Sequence, residues 1–438
     1  MIDALISHIR KNVSEQDNLF IEKDKPVSSE SFLKKFDQSC HLLTEAGIQK
    51  GDIVLLDRLD DFESIIYFLS LLNNNNIVFL CNRSKYHQFI VPYFDYFISN
   101  GLIIKNDQSE ASLKTQLRNI FNKGSAGIIL QTTGTTGNPK FIIHDFNKLL
   151  LKYRAKKAKT IYASIYSLDH IAGLDALFYS LFSLSCFIIT DRNIEAFLKT
   201  IEKRVVEQIS ITPSFVNLVY FSNLYKKYNL KSVKTLILGS EYLSEMTIHY
   251  IQLIFGNNPK VLQKYGSTEF GSLPSLTNPE NPQLISIDKD RCDYKIIKGC
   301  LHICSPSIML GHISGKKIII KKSPWFNTND LIKKEDGWYK IIGKKEITIN
   351  VGGNKVIPSE VEDILHQMPG ISYVKIYPVT NPIVGQVVGA DVITNQDESR
   401  ELLIQRIRKF CINKMEIYKI PTVITLIKTP VVNERMKS

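Results

Sequence analysis

Apolar positions along the chain switch between two rhythms. Near the start, Ile2, Leu5, Ile6 and Ile9 recur at helical spacing. Residues 29–47 repeat that rhythm with Phe32, Phe36, Cys40 and Leu43; Ser29 or Ser31 can cap the start, and Gly47 can close the end. A short apolar run then predicts a strand over 52–57, followed by a helix over 62–72 and a strand over 77–80. Further strands are expected at 127–130, 141–143, 160–165, 186–189, 208–211 and 235–238, with helical patterns between several of them, notably 194–205 and 244–255. This alternation predicts an α/β architecture, with helices covering largely parallel sheets.

The character changes near Cys300. Short strands at 301–304, 317–320 and 339–342, separated by turn residues, suggest a small β-rich unit. From Gly343 a compact α+β tail is expected: helix 359–367, strands 374–378 and 385–393, helix 398–409 and strand 422–427. Ser359 and Glu362 have the spacing of a capping box. The expected organisation is a large multi-subdomain N-terminal domain, 1–342, holding the parallel-rich sheets and the β-rich unit, and a small C-terminal domain, 343–438.

Composition narrows the functional classes. A chain of 438 residues exceeds what one core usually holds. Hydrophobic residues at 44% and charged residues at 22% describe a globular protein. The net charge of +12 suits phosphate-rich ligands, and because the basic residues form no long block, no nucleic-acid partner is expected. Seven scattered cysteines do not read as a disulfide framework. Cys292, Cys300 and Cys304 lack a CxxC pair, so buried thiols are expected there rather than a metal site. The first residues lack the basic start and apolar run of a signal peptide. The longest apolar stretch, 174–190, is short for a membrane span and contains Asp175; a buried helix running into a strand is expected instead. These features lead us to expect a cytoplasmic protein without a transmembrane segment.

Between two apolar strands lies Gln131-Thr132-Thr133-Gly134-Thr135-Thr136-Gly137-Asn138-Pro139-Lys140. Glycines let a backbone approach a polyphosphate, threonine hydroxyls donate to its oxygens, and Lys140 adds a mobile cation. The spacing is not that of the P-loop, and a polar hairpin between strands would use similar residues. Downstream, Tyr265-Gly266-Ser267-Thr268-Glu269 offers a ring to stack on adenine, a hydroxyl for a phosphate and a hard oxygen ligand for Mg²⁺.

Together these segments closely resemble the adenylate-forming superfamily, which includes acyl-CoA synthetases, adenylation domains of peptide synthetases and luciferases. The resemblance implies that residues 132–140 bind the ATP phosphates, with Thr132, Thr133, Gly134, Thr135, Thr136, Gly137 and Lys140 as contacts. It assigns Tyr265 and Gly266 to the nucleotide, Thr268 to the α-phosphate and Glu269 to Mg²⁺. Gly239-Ser240-Glu241 resembles a glycine-glycine-glutamate stretch lining the adenine pocket, with Ser240 replacing the second glycine. Asn327-Thr328-Asn329-Asp330 stands where the family has threonine-glycine-aspartate; Asp330 would bind the ribose, and Asn329 tolerates the left-handed backbone of the replaced glycine. Lys344 replaces a junction arginine, whose planar fork it cannot reproduce. Glu346 stands for the hinge aspartate about which a mobile tail would turn. Gly352 and Gly353 fit a tight turn, and the resemblance puts their loop beside the thiol's entry path.

The family also uses a lysine near the C-terminus during adenylation. No Gly-Lys pair occurs here; Lys437 is the candidate, with Lys428 behind it. His170, within Ser167-Leu168-Asp169-His170-Ile171, resembles the histidine near the carboxylate end of the acyl channel in acyl- and aryl-CoA ligases, though a helix-start histidine would look the same. Ile171 follows it where amino-acid-activating relatives place an aspartate, which favours an acid without an α-amino group. Asp169 and Asp175 keep an amino acid open. The expected activity is formation of an acyl adenylate from ATP and a carboxylic acid, then transfer to coenzyme A. Transfer to the phosphopantetheine of a carrier protein and a non-catalytic nucleotide-binding role are the alternatives.

Overall fold

The computed structural model describes residues 1–57, 59–80, 90–121, 124–133, 139–153 and 158–430. The chain divides into two compact units, each assembled from several segments.

The first unit comprises Met1–Ser210, Tyr265–Pro274 and Cys304–Pro324. Its larger sheet has eight strands, in the order Lys317–Ile320, Gly311–Ser314, Pro139–Asp145, Gly127–Thr133, Ile77–Leu80, Ile53–Leu56, Tyr96–Ser99 and Leu102–Lys105. We name three of these: β1 is Gly127–Thr133, β2 is Pro139–Asp145 and β3 is Gly311–Ser314. The interior strands pair in parallel, whereas β1–β2 and β2–β3 are antiparallel. Fully apolar runs such as Ile53–Leu56 and Ile77–Leu80 are buried throughout, as expected for parallel strands covered on both faces. A second set of strands runs Lys25–Ser28, Asn18–Glu22, Cys186–Ile189, Ile161–Ser164 and Gln208–Ile211, parallel except at the first hairpin. The N-terminal helix Ile2–Asn12 buries Ile2, Leu5, Ile6 and Ile9, the four positions its spacing marked. Helix Ser29–Glu45 is also where it was expected, but Ser28 caps it, accepting from the Ser31 N–H, while Ser29 is buried. The 174–190 stretch is a buried helix, α1 (Ile171–Ser183), leading into strand Cys186–Ile189. Among the described residues, no helix is long and apolar enough to cross a membrane.

The second unit comprises Ile211–Lys264, Ser275–Ile303 and Trp325–Ser438. Strands Thr235–Gly239 and Lys260–Lys264 pair in parallel, accompanied by helices α2 (Pro213–Ser222) and Glu245–Phe255. An antiparallel sheet follows the order Ser275–Thr277, Leu284–Ile287, Trp338–Lys344, Phe326–Glu335, Cys300–Cys304 and Asp293–Ile297. Residues 343–430 contribute an α+β layer, in which Ile371–Asn381 and Gly385–Thr394 form a long hairpin and Val423–Leu426 adds in parallel. Its core joins Val361 and Leu365 of α3 (Pro358–His366) to Val374, Ile376, Val388, Val392, Leu403 and Ile407. The expected capping box at the start of α3 does not form. Ile357 is the N-cap; the Ser359 hydroxyl donates to the Ile342 carbonyl, and the buried Glu362 accepts from the Ile376 N–H at 2.9 Å. Tertiary partners took both side chains from the local motif.

Candidate functional site

In the first unit the phosphate-loop candidate joins the ends of β1 and β2. Backbone register pairs Thr132 with Lys140 and Thr133 with Pro139, so the two arms leave the sheet side by side. Thr132, Pro139 and Lys140 are half-buried; Gly134, Thr135, Thr136 and Gly137 lie outside the described residues. β3 runs along the other edge of β2, with Ser314 opposite Lys140 and His312 opposite Ile142. Burial and the charge of Lys140 hold the His312 imidazole below its ordinary pKa, and Glu269 opposes that shift. His312 therefore feels both the loop lysine and the Glu269 carboxylate, two groups 129 positions apart in the chain.

Glu269 belongs to a tight double-back. Gly266–Ser267 and Gly271–Ser272 pair antiparallel, and a Cβ on Gly266 would lie 2.5 Å from the Gly271 carbonyl oxygen. Only glycine allows that approach. Tyr265 is buried, its ring 5.5 Å from that of Phe270. His144 of β2 places its Nε2 at 2.6 Å from the Thr268 carbonyl oxygen, and the Met309 N–H donates to the Glu269 carbonyl at 2.8 Å. Among the described residues no three His, Cys, Asp or Glu side chains gather as a metal cage. Glu269 is half-buried, and Mg²⁺ is usually held by one or two carboxylates together with phosphate oxygens, so Glu269 could supply one such ligand.

His170 is the N-cap residue of α1; its carbonyl accepts from Leu174, and its side chain makes no capping bond. Nε2 lies 3.8 Å from Asp169 Oδ1. Gly173 lets the helix sit on the preceding turn, since a Cβ there would lie 2.1 Å from the Ser167 carbonyl oxygen. One turn further on, Asp175 pairs with Lys152 and accepts from the Tyr153 hydroxyl.

In the second unit, strand β4 (Phe326–Glu335) pairs with β5 (Trp338–Lys344), setting Asp330 opposite Lys344. The Lys344 ammonium donates to Asp330 Oδ1 at 2.8 Å, with the carboxylate side nearly buried. Thr328 is buried: its hydroxyl donates to the Leu301 carbonyl and accepts from the Asp330 N–H. Asn329 has φ +57°, the left-handed conformation expected of the residue replacing glycine, and its amide donates to Glu346 at 2.8 Å. Ser240 also stands at positive φ, +72°. Glu241 accepts from the Ser214 N–H and hydroxyl at the start of α2, so its carboxylate sits at a helix N-terminus. Gly352 and Gly353, both at positive φ, make the two-residue turn between strands Ile349–Val351 and Asn354–Val356. Lys428 is exposed, and Lys437 lies outside the described residues.

Residues 85–289 match the family model described as AMP-binding enzyme. That segment is similar to AMP-binding enzymes. The chain is 25% identical to the 2-succinylbenzoate–CoA ligase of Staphylococcus aureus (strain JH9) over 345 residues, 74% of this chain and 67% of that protein. Among solved structures, the anthranilate CoA ligase AuaEII in complex with anthranoyl-AMP superposes with a TM-score of 0.79 at 16% identity, over 99% of this chain and 95% of that one. The o-succinylbenzoate CoA synthetase of Bacillus subtilis, bound to its acyl-adenylate intermediate, gives 0.73 at 17% identity, over 99% and 96%. At these identities the superpositions establish the fold alone, a large N-terminal and a smaller C-terminal part. His144, Ser307, Met309 and His312 were not singled out from the sequence. One signal existed: His144 ends the apolar run Phe141-Ile142-Ile143 and, at strand period, shares a face with Lys140.

Proposed function

We propose that this chain is an AMP-forming acid–thiol ligase. In the first step an oxygen of the carboxylate attacks the α-phosphorus of ATP, and pyrophosphate leaves, giving acyl-AMP. In the second, the thiol of coenzyme A attacks the acyl carbon and AMP leaves. The observation that supports this reading is that Lys140 of β2 and Glu269, far apart in the chain, both act electrostatically on His312 of the neighbouring strand β3. A lysine can offset negative charge developing on a polyphosphate, and a carboxylate can do so through a cation that it holds.

In this reading the loop N–H groups and Lys140 hold the phosphates, Thr268 donates to the α-phosphate and Asp330 takes the ribose hydroxyls. Glu269 would hold Mg²⁺, which when bound neutralises phosphate charge. Lys437 would steady the charge developing at the α-phosphate. The tail 343–438 would turn about Glu346 between the two steps and bring the Gly352/Gly353 loop to the thiol path. Such a turn must release Asp363 of α3, which accepts from the Tyr242 hydroxyl at 2.5 Å and pairs with Lys340 at 3.1 Å.

The acid is best sought among aryl carboxylic acids without an α-amino group. The relatives named above are a 2-succinylbenzoate and an anthranilate ligase. Asp175, one acid that could have met an ammonium, already pairs with Lys152. ATP–pyrophosphate exchange across a panel of acids, with hydroxylamine trapping of the activated acyl group, tests the first step. Exchange with an aryl acid and thioester formation with coenzyme A are expected. Nucleotide binding without exchange for any acid overturns the enzymatic reading. Thioester formation only on a carrier protein's phosphopantetheine moves the acceptor from coenzyme A to that carrier.

A further inference from the structure

Three consecutive carbonyls of the Thr268–Phe270 turn are each met by a donor within the first unit. The Thr268 carbonyl meets His144 Nε2 at 2.6 Å, the Glu269 carbonyl accepts from the Met309 N–H at 2.8 Å, and the Phe270 carbonyl accepts from the Ser307 hydroxyl at 2.7 Å. Two of these donors are tied to one sheet. His144 lies on β2, four residues beyond Lys140, and the Leu310 N–H next to Met309 bonds the Ile143 carbonyl of that same strand. From this geometry we infer that His144 is a positioning residue: its imidazole N–H, with Ser307 and Met309, clamps the backbone bearing Thr268 and Glu269 in fixed register with the phosphate-loop strand.

The chemistry of His144 agrees. The ring is only 1% exposed. Burial pushes its pKa down to about 4, although the backbone carbonyls around it favour the charged form. It is therefore neutral at pH 7 and has one N–H to give. A bare ring nitrogen 2.6 Å from a carbonyl oxygen would set two lone pairs against each other, so the proton sits on Nε2. A donor at that point is costly to lose. The Thr268 carbonyl would be left without it, and the turn would gain freedom to shift. Displacements of about 1 Å in a positioning element can slow a reaction on the order of 100-fold.

The inference rests on the ligase reading, and its test separates the two. In ATP–pyrophosphate exchange, His144→Leu should lower turnover by about 100-fold while leaving the KM for the acid near its original value. His144→Gln, whose side-chain amide can present an N–H near the Nε2 position, should recover to within about tenfold of the unaltered enzyme, and Ser307→Ala should lose about fivefold. Hydrogen–deuterium exchange should quicken in the peptide covering 265–274 in His144→Leu and Ser307→Ala, and stay slow in His144→Gln. A folded His144→Leu with unaltered turnover overturns the inference, as does a folded His144→Gln as slow as His144→Leu. If His144→Leu does not fold, Ser307→Ala decides: unaltered turnover together with unaltered exchange in 265–274 overturns the clamp. If the unaltered protein exchanges pyrophosphate with no acid, the ligase reading fails, and the clamp is then judged by amide exchange alone.

Discussion

The Tyr265–Pro274 segment of the first unit and the 327–330 turn of the second hold their candidate nucleotide groups in opposite ways. The first is gripped through its backbone: three successive carbonyls each take a donor, from His144 on β2, from Met309 and from Ser307. The second is tied through its own side chains. Asn327 accepts from the Asn329 N–H, Thr328 accepts from the Asp330 N–H, Asn329 reaches Glu346, and Lys344 meets Asp330. A backbone grip leaves the side chains of Thr268 and Glu269 to a ligand. A turn built from local side-chain bonds tolerates replacement of its glycine, provided the newcomer accepts left-handed backbone. Groups that stabilise transient charge gain most from the stiffer support. A group that only binds a sugar can do with the softer one.

That contrast is sharpest at Lys140. Lys140→Met should lower the turnover of pyrophosphate exchange by about 100-fold or more, because the lost charge acts on the transition state. An effect confined to the KM for ATP would break the comparison, since it would make the first unit a binding surface like the second.

Acid should loosen both units, each through one histidine. Burial pushes His144 in the first unit and His366 in the second down to about 4, against about 6.5 for an unfolded histidine. The unfolded chain therefore takes up these protons first. The associated stability is complete above about pH 6.5 and drains away as pH falls towards 4, by up to roughly 3 kcal/mol for each group. Glu362, whose carboxyl burial pushes up, works the other way: it takes stability away as pH rises. Thermal unfolding followed at pH 7.5, 6 and 5 should show a falling midpoint, with a shallower fall in His366→Leu. A midpoint constant across that range would show that neither unit keeps its histidine neutral.

At Asp330 a smaller effect of a different kind is expected. Asp330→Ala should raise the KM for ATP about tenfold while changing turnover by only a fewfold, the mark of binding shared by ground and transition states. A turnover loss as large as that of Lys140→Met would put both regions on the same footing.

These candidate groups were largely visible as sequence, because each sits in a short run whose residue types serve one local purpose. Strands such as Ile77–Leu80 and Cys186–Ile189 were legible for the same reason: apolar rhythm is a local signal, and burial follows it. What escaped was set by partners far along the chain. Ser359 and Glu362 have the spacing of a cap, yet Ile342 and Ile376 claim them. His144 reads as one polar residue ending an apolar strand until Thr268, 124 positions away, is folded against it. The cap of helix Ser29–Glu45 differed for a milder reason: Ser29 or Ser31 was expected to cap, but Ser29 is buried as the first helical residue and Ser28 before it takes the task.

The smallest effect separates two residues that both replace a glycine of the resembled family within the second unit. Ser240 has φ +72° and Asn329 φ +57°. A left-handed backbone costs most residues about 1–2 kcal/mol, and asparagine less, because its short amide can bond locally. The Asn329 amide instead bonds a more distant partner, Glu346, at 2.8 Å, and glycine there would lose that bond. Asn329→Gly should therefore be close to neutral, with relief of backbone strain offset by the lost hydrogen bond and by the greater freedom of glycine when unfolded. Ser240→Gly should stabilise the protein by about 0.5–1 kcal/mol, seen as a rise in the urea midpoint at constant slope. Equal rises for both would mean that the Asn329–Glu346 bond contributes nothing, and that the 327–330 turn is not held by its side chains after all.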